Sequence, residues 1–193
     1  MIVGLILAVV LSSVTSFASV CRQVRGDTLR LHVLANSDSE EDQALKLYVR
    51  DCILQETGTL FTTTGGKAAA EQAVDRHLEE IAHIAQEAVR EKGYDYPVSV
   101  YRTNMYFATT SYENATMPAG RYDALRVEIG SAAGHNWWCV LYPPLCLPAA
   151  QQEAIEAFTG EEQQVVEGGY EVRFALVELL ESARERWNKE NEK

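Results

Sequence analysis

The first regular pattern of apolar and polar positions is at residues 28–35, TLRLHVLA, where the two types of side chain alternate. Leu29, Leu31 and Val33 fall on one face of an extended chain, and Arg30 and His32 fall on the other. Alternation with a period of two is typical of a strand with one face in the core. The segment therefore predicts a half-buried strand.

A helix start follows this strand. Asn36, Ser37, Asp38 and Ser39 interrupt the alternation, and Ser37 with Glu40 three residues later has the spacing of a capping box. After them, apolar side chains recur every three or four residues, as expected for one face of a helix. These are Leu45, Tyr48, Val49, Cys52 and Ile53, and they predict a helix that ends near Glu56.

The remaining pattern predicts further helices and strands. Helices are expected at about residues 67–92 and 149–158 and after Gly168-Gly169, and strands at 98–101, 106–109, 125–129 and 137–142. The last strand is apolar on both faces, which favours a central place in the sheet. The final helix has an apolar stripe of Val172, Leu176, Leu179, Leu180, Ala183 and Trp187. Together the elements predict a single α+β domain, a mostly antiparallel sheet packed with amphipathic helices.

The N-terminus has the pattern of an export signal. Residues 2–20 contain no charged side chain, and Ser16 and Ala18 provide the small residues that signal peptidase requires. Cleavage is therefore expected between Ala18 and Ser19. The segment before the apolar block has no Lys or Arg, so an uncleaved anchor is the alternative. The resulting division is a signal at 1–18, a linker at 19–27, a domain at 28–188 and a solvated tail at 189–193.

The charge balance limits the range of partners. The chain has 193 residues, with 28 Asp and Glu against 17 Lys and Arg, for a formal net charge of -11. Such a charge disfavours attraction to nucleic acid or to an anionic bilayer. No nucleic-acid partner is expected.

Four cysteines raise the question of a disulfide. Cys139 and Cys146 flank Pro143-Pro144, which should bend the chain between them. A disulfide between them is allowed outside the cytoplasm, and two small buried thiols are the alternative. Cys52 lies on the predicted core face of a helix and is expected to be a free buried thiol.

Catalytic and metal-binding arrangements are weakly supported. His135 and Cys139 on one strand would be about 13 Å apart, too far for proton transfer. His32 could still approach Cys139 across the sheet, which leaves a cysteine hydrolase as an alternative. The acidic residues around Asp38 lack the spacing of a calcium loop and are explained by helix capping. No catalytic residue, metal or cofactor is expected.

Two groups of residues are candidates for protein contacts. Arg30, His32, Asn36 and Asp38 are expected at the exposed face and the end of the first strand, where they form either a contact patch or a hydrogen-bond network that fixes the turn. Trp137 and Trp138 must point to opposite sides of a strand. One of them is expected in the core. The other is a candidate hot spot for a partner unless a helix covers it.

Two stretches resemble the signatures of the stage II sporulation protein R family: residues 30–51, RLHVLANSDSEEDQALKLYVRD, and residues 135–146, HNWWCVLYPPLC. The resemblance implies a non-enzymatic signalling protein that is made in the forespore and exported into the intermembrane space. It also implies a partner, the membrane-embedded aspartic protease that cleaves pro-sigma-E for the mother cell, and no small-molecule substrate. A secreted cysteine hydrolase and an envelope-anchored interaction module are the alternatives.

Overall fold

The computed structural model describes residues 2–58, 65–146, 151–169 and 172–191. Its helices are α1 (Ile2–Gly26), α2 (Glu40–Thr57), α3 (Gly66–Glu91), α4 (Gln151–Glu156), α5 (Gly160–Glu167) and α6 (Val172–Asn191). Its strands are β1 (Leu29–Leu34), β2 (Val98–Phe107), β3 (Thr110–Ser111), β4 (Thr116–Met117), β5 (Gly120–Ile129) and β6 (Asn136–Tyr142). Residues 149 and 150 of the helix predicted at 149–158 lie outside the described residues.

The elements form two compact units, which are described separately. The sheet unit comprises residues 28–104 and 123–154, and the helical unit comprises residues 1–27, 105–122 and 155–193.

The sheet unit is built on a four-stranded sheet in the order β2-β5-β1-β6. Strand β1 runs parallel to β5, with Leu31 opposite Leu125, and antiparallel to β6, with Leu31 opposite Cys139. Strand β6 is therefore at an edge of this sheet, and the prediction that it is central is wrong. Its second half is nevertheless buried, from Cys139 to Leu141, which explains why the sequence is apolar on both faces.

Helices α2 and α3 pack on one face of the sheet. The core contains buried side chains from β1 (Leu29, Leu31, Val33), α2 (Leu45, Val49, Ile53), α3 (Val74, Ile81, Val89) and β5 (Leu125, Val127, Ile129). Each such side chain contributes about 1.5–3 kcal/mol when it is removed from water. The periodicities that predicted β1, α2 and α3 therefore correspond to one shared core.

The polar face of β1 is buried as well. Arg30 and His32 were expected on an exposed face, but they are only 0% and 3% exposed. Their polar atoms have partners on β6, because Arg30 Nε donates to the Cys139 carbonyl at 3.0 Å and His32 Nε2 lies 2.6 Å from Asn136 Oδ1. The prediction of a half-buried strand is wrong, since all six residues of β1 are buried.

The helical unit joins α1 to α6 through a small core of Phe17, Cys21, Phe174 and Val177. The rings of Phe17 and Phe174 meet nearly at right angles, with centroids 5.0 Å apart. Burial raises the pKa of Cys21 to about 11, which keeps this thiol protonated. Residues 19–26, expected in a linker, lie in the second half of α1. The signal cleavage site after Ala18 stays a prediction.

Helix α6 buries a different face from the one that its apolar stripe suggests. Val172, Leu179 and Trp187 are 79%, 61% and 68% exposed, whereas Phe174 and Val177 are buried. The helix continues into the predicted tail as far as Asn191, and residues 192 and 193 lie outside the described residues.

The expected α+β class is confirmed. The sheet is mixed, because β1 has a parallel neighbour on one side and an antiparallel neighbour on the other. Within the described part of the chain, no helix has the length and apolar character needed to cross a membrane.

Candidate interaction site

The turn between β1 and α2 is held by the side chain of Asn36. Its Oδ1 accepts hydrogen bonds from the backbone N–H of Ser131 at 2.9 Å and from the Ser131 hydroxyl at 3.1 Å. Its Nδ2 donates to Asp42 Oδ2 at 2.9 Å. One side chain therefore links the turn to the first helical turn of α2 and to the β5–β6 loop, residues 130–135.

Asp42 closes this network from the helix side. Its carboxylate accepts from the Ser37 hydroxyl at 2.6 Å, and its backbone N–H donates to Ser39 Oγ at 3.1 Å. Burial alone would raise the pKa of Asp42, but hydrogen bonds from Ser37, Asn36 and Tyr96 outweigh it and lower the pKa. Ser39, not the predicted Ser37, is the N-cap of α2.

Two glycines allow the loop to lie this close to the turn. A Cβ atom added at Gly134 would be 2.1 Å from the Ser37 carbonyl oxygen. One added at Gly130, where φ is +61°, would be 2.3 Å from Asn36 Oδ1. The sequence pattern predicts strands at 125–129 and 137–142 and neither a strand nor a helix in this segment between them. Its contact with the turn after β1 depends on partners that are distant in sequence.

Asp38 and His135 form the exposed part of the cluster. The backbone N–H of His135 donates to Asp38 Oδ1 at 2.6 Å, and His135 Nδ1 contacts the same oxygen. Their side chains are 56% and 78% exposed. Behind them, Lys46 donates to the His135 carbonyl at 3.0 Å, and burial lowers the pKa of Lys46. The pair is therefore a surface feature on a rigid support.

The two tryptophans lie on opposite sides of β6, as expected. The Arg50 guanidinium of α2 is 4.6 Å from the ring centroid of Trp137. Trp138 meets His32 on the other side, with centroids 6.2 Å apart. Both tryptophans are partly exposed, so neither is a full core residue. Arg50 was not identified from the sequence, because an arginine on a helix carries no signal for stacking on a distant ring.

Cys139 and Cys146 are joined by a disulfide, with their Cα atoms 5.8 Å apart. Cys139 is 3% exposed. A bonded sulfur carries no thiolate, so this cysteine has no nucleophile for a hydrolase. Cys52 is a free thiol and is partly buried, less than its predicted core position implied.

The predicted site residues thus fall into two groups. Arg30 and His32 are buried and bond to β6, whereas the partly buried Asn36 is the one of these three that holds the turn. Asp38, Trp137 and Trp138 reach the surface together with His135, which the sequence did not predict as a contact, and we call these four residues the contact surface. Among the described residues, no three His, Cys, Asp or Glu side chains are grouped as metal ligands would be.

The fold and this site define an α+β protein whose distinctive residues build a rigid turn and an adjoining edge strand. A family model described as stage II sporulation protein R matches residues 25–152, and the chain belongs to this sporulation protein family. It is similar to stage II sporulation protein R of Bacillus subtilis (strain 168), with 34% identity over 177 residues that cover 79% of each protein. No solved structure matches the chain.

Proposed function

We propose that this protein is an exported signal made in the forespore, and that it activates a membrane-embedded aspartic protease that cleaves pro-sigma-E for the mother cell. Membership of the stage II sporulation protein R family supports this role. In this role the protein is a ligand for a protease and performs no chemistry itself.

The observation that carries the proposal is the disulfide that joins Cys139, on the edge strand, to Cys146. Disulfides persist outside the reducing cytoplasm, so the bond supports export into the intermembrane space. The uncharged residues 2–20 and the small residues before Ser19 support export independently. The bond also removes the thiol that the hydrolase alternative requires.

The contact surface is the proposed site of receptor binding. It combines a hydrogen-bonded pair, Asp38 with His135, and two partly exposed tryptophans on an edge strand. Tryptophan is enriched among residues that dominate binding energy. An edge strand can also accept an added strand from a partner through backbone hydrogen bonds. The receptor segment is therefore proposed to run beside β6.

The test is reconstitution in a non-sporulating host that co-produces this protein, the cognate protease and pro-sigma-E. Immunoblotting detects cleavage of the precursor. We expect this cleavage only when the chain carries residues 1–18 or a replacement signal peptide. Cleavage with a chain confined to the cytoplasm, or none with export and receptor production verified, would contradict the proposal. The mass of the N-terminal peptide distinguishes a chain beginning at Ser19 from an anchored one.

A matched pair of histidine variants tests the contact surface. His135→Ala removes an exposed ring next to a carboxylate but keeps the backbone bond to Asp38. His77→Ala removes a partly exposed ring that lies 2.8 Å from Glu80 on α3. We expect cleavage to fall at least fivefold with His135→Ala and to be unchanged with His77→Ala, at equal amounts of exported protein. Equal cleavage by the two variants would place receptor binding elsewhere.

A further inference from the structure

Helix α6 carries an exposed apolar stripe. Its large members, with their exposed fractions, are Val172 (79%), Leu176 (40%), Leu179 (61%), Leu180 (60%) and Trp187 (68%), and the smaller Ala183 is exposed between them. At about 100° of rotation per residue, all six lie within an arc of roughly 100°. Exposed apolar side chains that form one contiguous row mark an interaction surface.

The opposite side of the helix faces the protein. Phe174 and Val177 are buried there against Cys21 of α1 and, in the uncleaved chain, also against Phe17. Acidic residues also point inward. Glu185 is 8% exposed, with both carboxylate oxygens 2.9 Å from Arg121 Nη1, and Glu181 lies 2.9 Å from Arg25. Because the inward face is already packed and ion-paired, the outward stripe is free for a partner.

The order of side chains along the stripe fits a second copy of itself. Leu179 and Leu180 are adjacent at its centre. Leu176 and Ala183 lie at equal distances on either side of this centre, and so do Val172 and Trp187. In an antiparallel pair of helices related by a two-fold axis through the centre, Leu179 and Leu180 each meet their own counterparts, Leu176 faces Ala183, and Val172 faces Trp187. A small side chain then meets a larger one at each end.

From this self-complementary pattern we propose that the protein forms a two-fold symmetric dimer through antiparallel pairing of its α6 helices. Contacts of this kind are isologous and close without further growth. The pairing also brings the exposed Glu190 of one copy towards the N-terminal end of the other α6, where the helix dipole favours an acid. Arg173, near that end, is held over the ring of Phe17 at 4.6 Å.

The available area sets the strength of the dimer. The exposed fractions of the stripe give on the order of 800–1,000 Å² of buried side-chain surface for the pair, counting both copies. Stable interfaces bury about 1,200–2,000 Å². The dimer is therefore weak and reversible, and its population depends on the local concentration of the protein.

A lipid surface is the less suitable occupant. Glu190 lies in line with the stripe, one turn beyond Trp187, where it would be drawn towards the lipid. The second copy instead places this carboxylate near a helix N-terminus.

Cysteine cross-linking of the full chain, in the envelope of producing cells, tests both the pairing and its direction. Leu179→Cys is expected to form a disulfide-linked dimer on mild oxidation, because it is offset from its own counterpart by only about 1.5 Å along the axis. Leu176→Cys and Ala183→Cys are offset by roughly 10 Å and are expected to stay monomeric alone but to link when co-produced. The unsubstituted chain controls for Cys21 and Cys52.

Sedimentation velocity of the purified chain provides the second readout. Leu179→Glu is expected to weaken self-association at least tenfold, whereas Asn188→Glu, on another side of α6, leaves it unchanged. Efficient linkage of Leu176→Cys to itself would indicate parallel helices and overturn the pairing. Three results would overturn the dimer. The first is that no cysteine variant forms a cross-link, and the second is that the purified chain sediments as a monomer at a concentration on the order of 100 µM. The third is that the chain does not self-associate but binds vesicles, and that Leu179→Glu abolishes this binding.

Discussion

Replacing Gly134 by alanine tests whether the close approach of the β5–β6 loop to the turn after β1 stabilises the fold. The added Cβ atom would be 2.1 Å from the Ser37 carbonyl oxygen and 2.5 Å from the carbonyl carbon. Both are backbone atoms, so no side-chain rotation can relieve the overlap. The loop and the turn must separate by about 1 Å to restore an ordinary contact.

The cost of this separation can be worked out from the contacts that it breaks. Gly134 N–H donates to the Ala35 carbonyl at 3.0 Å, and an added 1 Å stretches this bond beyond hydrogen-bond length. Loss of the bond costs about 1 kcal/mol, and the strain of overpacking adds about 1–3 kcal/mol. We therefore expect the free energy of unfolding to fall by about 3 kcal/mol, and Tm to fall by about 6–12 °C.

Urea unfolding followed by tryptophan fluorescence measures this change, with Gly26→Ala as the matched control. A Cβ atom at Gly26 meets nothing within 4 Å, so this variant should remain within about 0.5 kcal/mol of the unsubstituted chain. The reasoning is refuted if Gly134→Ala unfolds at the same urea concentration as Gly26→Ala with an unchanged slope. That result would mean that the loop moves away from the turn without cost.

Two further predictions concern the disulfide and the buried histidine. Replacing Cys139 and Cys146 by serine should lower the free energy of unfolding by about 2.5 kcal/mol, because the eight-residue loop is then no longer closed in the unfolded chain. Urea unfolding measures this loss, with Cys52→Ser as the control. Equal unfolding midpoints for the two variants would contradict the prediction. Burial lowers the pKa of His32 from 6.5, so the unfolded chain takes up a proton first and stability should fall as pH drops below about 6.5. Urea unfolding at several pH values between 7.5 and 5.5 should show this loss of stability in the unsubstituted chain and in the control His83→Gln, whose side chain is exposed. The loss should be smaller in His32→Gln. An equal loss in all three proteins would exclude His32 as its source.

The elements that the sequence predicted well are those fixed by local periodicity. Strand β1 and helices α2 and α3 end within two residues of their expected limits. Each has a repeat of apolar side chains that one shared core explains, such as Leu31 on the strand and Val49 on the helix. The long helix α3 was also bounded by glycines. These features depend on neighbours in sequence, so they can be read without the fold.

Features that depend on distant partners were predicted incorrectly. Strand β6 is apolar on both faces, yet it lies at the edge of the sheet. Its second half is buried all the same, and Cys139 within it is joined to Cys146. Arg30 looked like an exposed side chain, but a carbonyl 109 residues away accepts its hydrogen bond. The N-cap of α2 was misplaced by two residues since Ser37 and Ser39 both have an acid three positions later.

Among the residues that carry the family resemblance, some stabilise the fold and at least one has a side chain that the fold does not require. Arg30, Asn36 and Asp42 are explained by the fold alone, because their polar groups hold buried strands, a turn and a helix start together. His135 is not explained in this way. Its backbone holds the loop to Asp38 and Lys46, but its ring is exposed and could be removed without opening the core. An exposed ring with no role in the core is available to a partner, which is why the receptor is proposed to bind there.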